Sequence, residues 1–97
     1  MAWKVDLDSA AARDLHQLDP QTARRILAFL HDRVATLEDP RSIGQALKGS
    51  KLGEFWKYRV GDYRIISSIE DGALRILVIK IGNRREVYRR SRLAHIS

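Results

Sequence analysis

Apolar residues recur with two different periods along the first half of the chain. Residues 3–7 alternate between apolar and polar, which predicts a first strand. Apolar residues at helical spacing then predict a helix that begins at residue 8 or 9 and runs to Leu18. Asp19-Pro20 is typical of a helix start, and the second helix is predicted to run to about Leu37. Its predicted buried stripe comprises Ile26, Phe29, Leu30, Val34 and Leu37.

The second half is dominated by short segments rich in β-branched and aromatic residues, which is the composition of strands. Residues 55–60 and 63–66 flank Gly61-Asp62, and a glycine first in a two-residue loop is typical of a type II′ hairpin. Asp71-Gly72 predicts a second tight turn, before a strand over residues 73–81. Residues 41–53 contain three glycines and are predicted to form mainly a loop, with at most a short helical turn.

This order of elements predicts an α+β fold in a single domain that spans residues 1–97. An N-terminal strand and a two-helix hairpin are expected to pack on a mainly antiparallel sheet of about four strands. The face of the sheet that the helices cover is predicted to carry Tyr58, Val60, Ile65, Leu74, Ile76 and Val78. The second face is predicted to carry Lys57, Arg59, Arg64, Ile66, Leu77 and Ile79.

Three cations share that second face of the hairpin. A two-residue turn at Gly61-Asp62 pairs Arg59 directly with Arg64, and Lys57 lies on the same side because side chains alternate along a strand. Like charges directly opposite each other destabilise a sheet. We therefore expect this arrangement to hold something anionic.

The overall charge points to a polyanionic partner. The net charge is +6, and most of the 18 Lys and Arg residues lie from Lys48 onward, so the second half is the predicted anion-binding half. The absence of cysteine excludes disulfides, thiol nucleophiles and cysteine metal sites. No apolar run approaches the ~18 residues needed to span a membrane, and no signal-peptide pattern is present. We expect a cytosolic protein with no membrane partner.

The chemistry that these cations favour is phosphate binding and RNA cleavage. Lys57, Arg59 and Arg64 can clamp a phosphate through charge-assisted hydrogen bonds, and Arg84 and Tyr88 follow the neighbouring strand. RNA carries its own nucleophile in the 2′-hydroxyl, so the protein need only position the chain, remove a proton and stabilise the phosphorane. A lysine crowded by two arginines loses its proton more readily than an isolated one, which makes Lys57 the predicted base. The alternative is a solvated basic strand without catalytic function.

Three segments together resemble the RelE branch of the RelE/ParE toxin superfamily. They are Leu47-Lys48-Gly49, the hairpin from Phe55 to Ile65, and Ile81-Gly82-Asn83-Arg84-Arg85-Glu86-Val87-Tyr88. The chain also has the length and the order of elements of that family. Asn83 departs from the many relatives that have histidine at this position, and asparagine cannot transfer a proton at neutral pH.

The resemblance implies a type II toxin that enters the ribosomal A site and cuts mRNA without a metal or another cofactor. The catalytic positions carried over from the family are Lys57, Arg59, Arg64, Arg84 and Tyr88. Further predicted RNA contacts are Lys48, Lys51, Arg85 and Arg89. A RelB-like antitoxin is the implied partner, together with mRNA on the ribosome. Two alternatives remain open, a ParE-like inhibitor of DNA gyrase on the same fold and a binding module without activity.

Overall fold

The structure is a computed structural model that describes residues 3–47 and 55–83. Five strands form one sheet in the order β1-β5-β4-β3-β2, in which β1 is parallel to β5 and the other neighbours are antiparallel. The strands are β1 (Lys4–Leu7), β2 (Gln45–Ala46), β3 (Trp56–Val60), β4 (Tyr63–Glu70) and β5 (Arg75–Asn83). The α+β fold is confirmed, and the sheet exceeds the predicted four strands because the two-residue β2 was assigned to a loop. No helix in the described part of the chain is long and apolar enough to cross a membrane.

Two capped helices follow the first strand. Helix α1 spans Ser9–His16, and the side chain of Asp8 accepts a hydrogen bond from the Ala11 amide at its first turn. Helix α2 spans Pro20–Ala28, and Asp19 caps it by accepting from the amide and the hydroxyl of Thr22. The chain continues from α2 as a π-helical turn, Phe29–Val34, and so stops short of the predicted end at Leu37.

The core lies between these helices and one face of the sheet. Ile26, Leu30 and Val34 are fully buried, as their spacing predicted, whereas Phe29 and Leu37 at the edges of the stripe are half-buried. The strands contribute Tyr58, Val60, Ile65, Ile76, Val78 and Ile81. The hydroxyl of Tyr58 donates to the Pro40 carbonyl at 2.7 Å, and the ring meets Phe29 edge-on. Burial raises the pKa of Tyr58 to about 12, because the apolar surroundings disfavour the phenolate.

The β3–β4 hairpin has the predicted register. Arg59 pairs with Arg64, and Lys57 pairs with Ile66. Gly61 has a φ of +58°, and Asp62 is not among the described residues with positive φ, which is the pattern of a type II′ turn. The mirror-image twist of this turn matches the twist of the two strands, which explains why the glycine determines the register.

The β4–β5 connection differs from the prediction. Asp71–Ala73 form a 3₁₀ turn and Leu74 follows in the left-handed region with a φ of 48°, so β5 starts at Arg75 instead of residue 73. Leu74 is 41% exposed and does not belong to the core face, contrary to the prediction. Asp71-Gly72 is thus part of a longer turn and not a two-residue hairpin loop.

A β-bulge in β5 alters the predicted face assignment at Ile79, while the hairpin residues, Ile76 and Val78 keep their predicted faces. Ile66 and Ser67 are consecutive in β4, but their partners in β5 are Lys80 and Val78, so β5 carries one extra residue, Ile79. Before the bulge, Ile76 and Val78 face the core as predicted; after it, Ile81 takes the core position. The bulge therefore moves Lys80 away from the helices and onto the second face.

Candidate functional site

The second face of the sheet carries a cluster of cations at the end formed by the β3–β4 hairpin. We call the cluster of Lys57, Arg59, Arg64 and Lys80 the cationic end. Its side chains occupy two rows across the strands. One row runs from Lys57 through Ile66 to Lys80, and the next runs from Arg59 through Arg64 to Gly82. The structure thus brings together the three described residues that the sequence predicted and adds a fourth.

The two opposed arginines lie in different environments. Arg64 is only 5% exposed, and its Nη1 donates to the carbonyls of Gly61 at 3.2 Å and Tyr63 at 3.1 Å. Arg59 is exposed. A buried guanidinium held by backbone carbonyls is fixed before any ligand arrives, while an exposed one can adjust to it. Gly82 follows Arg64 in the same row and adds no side chain beside it.

Lys80 is the residue that sequence reasoning missed. An unbroken β5 would have placed Lys80 on the same face as Ile76 and Val78, which are both fully buried. A lysine is almost never fully buried without a partner, because its charge is costly to remove from water. That conflict was the signal in the sequence that β5 contains a bulge.

The opposite end of the same sheet face has a different charge balance. We call the cluster of Lys4, Asp6, Glu70 and Arg75 the neutralised end. Arg75 donates from Nε and Nη2 to the two carboxylate oxygens of Glu70, at 2.9 and 3.1 Å, and from Nη1 to Asp6 at 3.3 Å. Lys4 lies 3.9 Å from Asp6. These bonds raise the pKa of Arg75, and the hydrogen bonds to Glu70 have the largest effect.

Three of the four cations at the cationic end differ from Arg75 in this respect. Among residues 3–47 and 55–83, Arg59, Arg64 and Lys80 make no ion pair with a carboxylate. Between the two lysines, Ile66 is only 4% exposed although it lies outside the core cluster. Ile66 thus adds almost no accessible apolar surface, and what the site offers a ligand is positive charge, which favours an anionic group such as a phosphate.

The other predicted site residues lie outside the described part of the chain. They are Lys48, Lys51, Arg84, Arg85, Tyr88 and Arg89. Asn83, the last residue of β5, pairs with Tyr63, one position beyond Gly82 of the Arg59–Arg64 row.

The arrangement of the described residues suits stabilisation of an anionic transition state. A fixed guanidinium and an adjustable one can bind the same phosphoryl group from adjacent strands, and a primary amine lies one row away. Lysine is a recognised general base when its surroundings disfavour the ammonium form. These are the elements that cleavage by an internal hydroxyl requires.

Comparison with known proteins gives consistent matches. Residues 5–88 match the family described as the ParE toxin of type II toxin–antitoxin systems, parDE. Toxin RelG of Mycobacterium tuberculosis is 28% identical over 90 residues, which are 93% of this chain and 100% of that protein. Toxin RelE of the same organism is 32% identical over 87 residues, which are 90% of this chain and 87% of that protein.

Solved structures share the fold. The toxin–antitoxin complex RelBE2 from Mycobacterium tuberculosis aligns with a TM-score of 0.76 at 24% identity, covering 87% of this chain and 93% of that one. The archaeal RelE–RelB complex from Pyrococcus horikoshii aligns with a TM-score of 0.68 at 27% identity, covering 87% of this chain and 97% of that one. The helices and the five-stranded sheet described above are thus the shared scaffold.

Proposed function

We propose that this chain, which belongs to the RelE/ParE superfamily of type II toxins, is an endoribonuclease. Its proposed substrate is mRNA in the ribosomal A site. The observation that carries the proposal is the Arg59–Arg64 pair with Lys57 beside it on one sheet face. Directly opposed like charges cost stability. An anionic ligand removes that cost, which gives the arrangement a function.

In the proposed reaction, Lys57 removes the proton of an RNA 2′-hydroxyl. The 2′-oxygen then forms a bond to the adjacent phosphorus, the bond from phosphorus to the 5′-oxygen breaks, and a 2′,3′-cyclic phosphate remains. Arg64 and Arg59 bind the non-bridging oxygens, whose negative charge increases in the transition state. The leaving 5′-oxygen takes up a proton from solvent and Lys57 later releases its proton to solvent, so no proton is gained or lost overall.

Further proposed roles fall on residues after β5 and between β2 and β3 in the sequence. Arg84 is proposed to act at the leaving group and Tyr88 to orient the substrate. Proposed RNA contacts are Lys48, Lys51, Arg85 and Arg89. These assignments rest on their positions in segments that resemble the RelE branch, and the residues form part of one toxin domain over residues 1–97.

The proposed partners are a RelB-like antitoxin and the mRNA of a translating ribosome, in the cytoplasm. The two solved structures named above are complexes of RelE-type toxins with their antitoxins, which supports the first partner. The cationic end supports the second, because neutralisation of backbone phosphates supplies most non-specific affinity for nucleic acids.

A translating extract tests the proposal. The purified chain is added, and the 5′ ends of a reporter mRNA are mapped by primer extension, while supercoiling by DNA gyrase is measured in parallel. We expect new mRNA ends within codons and unchanged supercoiling. Intact mRNA together with inhibited gyrase would replace the proposal by the ParE-like alternative, and no effect on either would leave a binding module.

A matched pair of variants connects the activity to the site. Arg59→Ala removes an exposed arginine from the cationic end, and Arg24→Ala removes an exposed arginine from α2, on the helical side of the protein. Both lower the net charge by one. We expect Arg59→Ala to reduce cleavage by about tenfold or more and Arg24→Ala to leave it unchanged. Equal loss in both variants would mean that total charge, and not this site, determines activity.

A further inference from the structure

Lys80 owes its position to the irregularity in β5. Val78 and Ile81 both lie in the core, although residues three positions apart in a regular strand point to opposite faces. The extra residue Ile79 resolves this difference, and Lys80 pairs with Ile66 on the second face. The bulge is thus what allows a lysine in this strand to reach the cationic end.

A buried carboxylate on α1 holds the chain just after the bulge. The Oδ2 atom of Asp14 accepts a hydrogen bond from the Ile81 amide at 3.1 Å, and Asp14 is 8% exposed. Strand β1 ends at Leu7, opposite Val78, so it does not extend along β5 as far as Ile81. Helix α1 therefore supplies an acceptor for β5 beyond the end of β1, where an unpaired amide would be costly.

Lys80 lies across Ile66 from Lys57. Two strand spacings separate their backbones by about 10 Å, and the Arg59–Arg64 row lies about 7 Å further along the strands. This area is wider than one phosphate group needs. Lys80 has no carboxylate within ion-pair distance among residues 3–47 and 55–83.

We propose that Lys80 is a further RNA-contacting residue of this site, which binds a phosphate next to the one that Arg59 and Arg64 hold. The identity of the polyanion as RNA rests on the proposed function. Lysine acts as a point charge and carries no base preference, so its contribution is affinity and register along the backbone, not sequence recognition. Asp14 is a positioning residue that acts through the bulge.

Binding to a non-cleavable RNA tests this directly. The probe is a short fluorescent oligonucleotide with 2′-O-methyl groups, titrated by anisotropy over a range of KCl concentrations. Lys80→Gln should reduce the slope of log affinity against log salt by about 0.7, the value for one phosphate contact on a single strand. Lys4→Gln is the matched control, because Lys4 lies on the same sheet face at the neutralised end, and its slope should stay at the wild-type value.

The outcomes separate this inference from the proposed function. A wild-type slope in Lys80→Gln, with normal mRNA cleavage by the wild-type chain, would overturn the inference and leave the function standing. A reduced slope in Lys80→Gln, with no cleavage by the wild-type chain, would support the phosphate contact and overturn the function. Failure of the wild-type chain to bind the oligonucleotide would also overturn the inference.

The role of Asp14 has its own readout. In an Asp14→Ala background, Lys80→Gln should change the salt slope by less than it does in the wild-type background, because the bulge is no longer held. Asp14→Asn keeps an acceptor oxygen for the Ile81 amide and should restore the full effect. An undiminished effect of Lys80→Gln in a folded Asp14→Ala protein would overturn the positioning role.

Discussion

The two ends of one sheet face use arginine in different ways. At the neutralised end, Arg75 is held by two carboxylates and Lys4 lies beside one of them. At the cationic end, Arg64 donates to the backbone carbonyls of its own turn, and the cation opposite it is another arginine. Both ends include residues of β4 and β5, to which β3 adds at the cationic end and β1 at the neutralised end. The chain thus has acidic partners for arginine in one place and none described in the other.

This difference shows that the basic net charge is not spread evenly. A protein that needed only solubility would have no reason to concentrate cations where they repel one another. Ion pairs at a surface contribute little to stability, so the neutralised end is mainly a means of fixing side chains and of balancing charge. At the cationic end, Arg59, Arg64 and Lys80 have no carboxylate partner among the described residues, which is the basis of the proposed phosphate site.

The largest expected effect compares two lysines on this face. Lys57→Met should reduce mRNA cleavage by about 10²–10⁴-fold, because it removes the proposed general base. Lys4→Met removes the same group from the neutralised end and should leave cleavage unchanged. Single-turnover rates in the translating extract provide the measurement. Normal cleavage by Lys57→Met would exclude the amine as the base.

A second comparison uses the two arginines. Arg64→Ala should reduce cleavage by about 10²–10³-fold, because a pre-positioned donor to the transition state is lost. Arg75→Ala breaks the ion pairs of the neutralised end and should leave cleavage within a factor of about two. Urea unfolding of both variants is needed, because the Arg64 guanidinium is buried and hydrogen-bonded. If Arg64→Ala and Arg75→Ala lose similar activity when equal fractions of both proteins are folded, the cationic end has no special role in cleavage.

The opposite side of β3 provides a test of stability without activity. Tyr58→Phe loses the hydrogen bond to Pro40, at a cost of about 0.5–1.5 kcal/mol at neutral pH, and should not change cleavage. The pKa of Tyr58 is raised from 10.0 to about 12, so its stabilising contribution is complete below pH 10 and is lost as the pH rises towards 12. The stability difference between wild type and Tyr58→Phe, measured by urea unfolding, should therefore narrow over that interval. A stability difference that stays constant between pH 10 and 12 would contradict the raised pKa of Tyr58.

The smallest effect is expected beside the neutralised end. Arg41 donates to both carboxylate oxygens of Asp71, at 3.1 and 2.6 Å, and this lowers the pKa of Asp71 below 3.8. A lowered pKa gives stability that is present above 3.8 and is lost as the pH falls through the folded value. Asp71→Asn should flatten the acidic side of the plot of melting temperature against pH and leave cleavage unchanged. If melting temperature falls at acidic pH in the variant as it does in the wild type, the Arg41–Asp71 pair does not contribute to stability.

Local signals in the sequence were sufficient for most of the fold. Aspartate caps and the spacing of Ile26, Leu30 and Val34 depend on neighbouring residues alone, and both helices start where these signals indicate. The hairpin register follows from the two-residue loop Gly61-Asp62, because both turn types that suit such a loop need a positive φ at its first residue, which glycine adopts without strain. The predicted end of the second helix was less accurate, because no local sequence signal marks the change to π-helical hydrogen bonding at Phe29.

By itself, the sequence determined the α+β layout, the Arg59–Arg64 pairing and the presence of Lys57 beside it, since each depends on short-range spacing and one tight turn. Only the tertiary structure decided which residues of β5 join the site. Next to the bulge at Ile79, the Asp14 carboxylate of α1 accepts a hydrogen bond from Ile81, and the core contains Ile81 in place of Lys80. These contacts connect residues far apart in the chain, so the periodicity of β5 could signal a conflict at Lys80 but could not reveal the contacts that accompany the bulge.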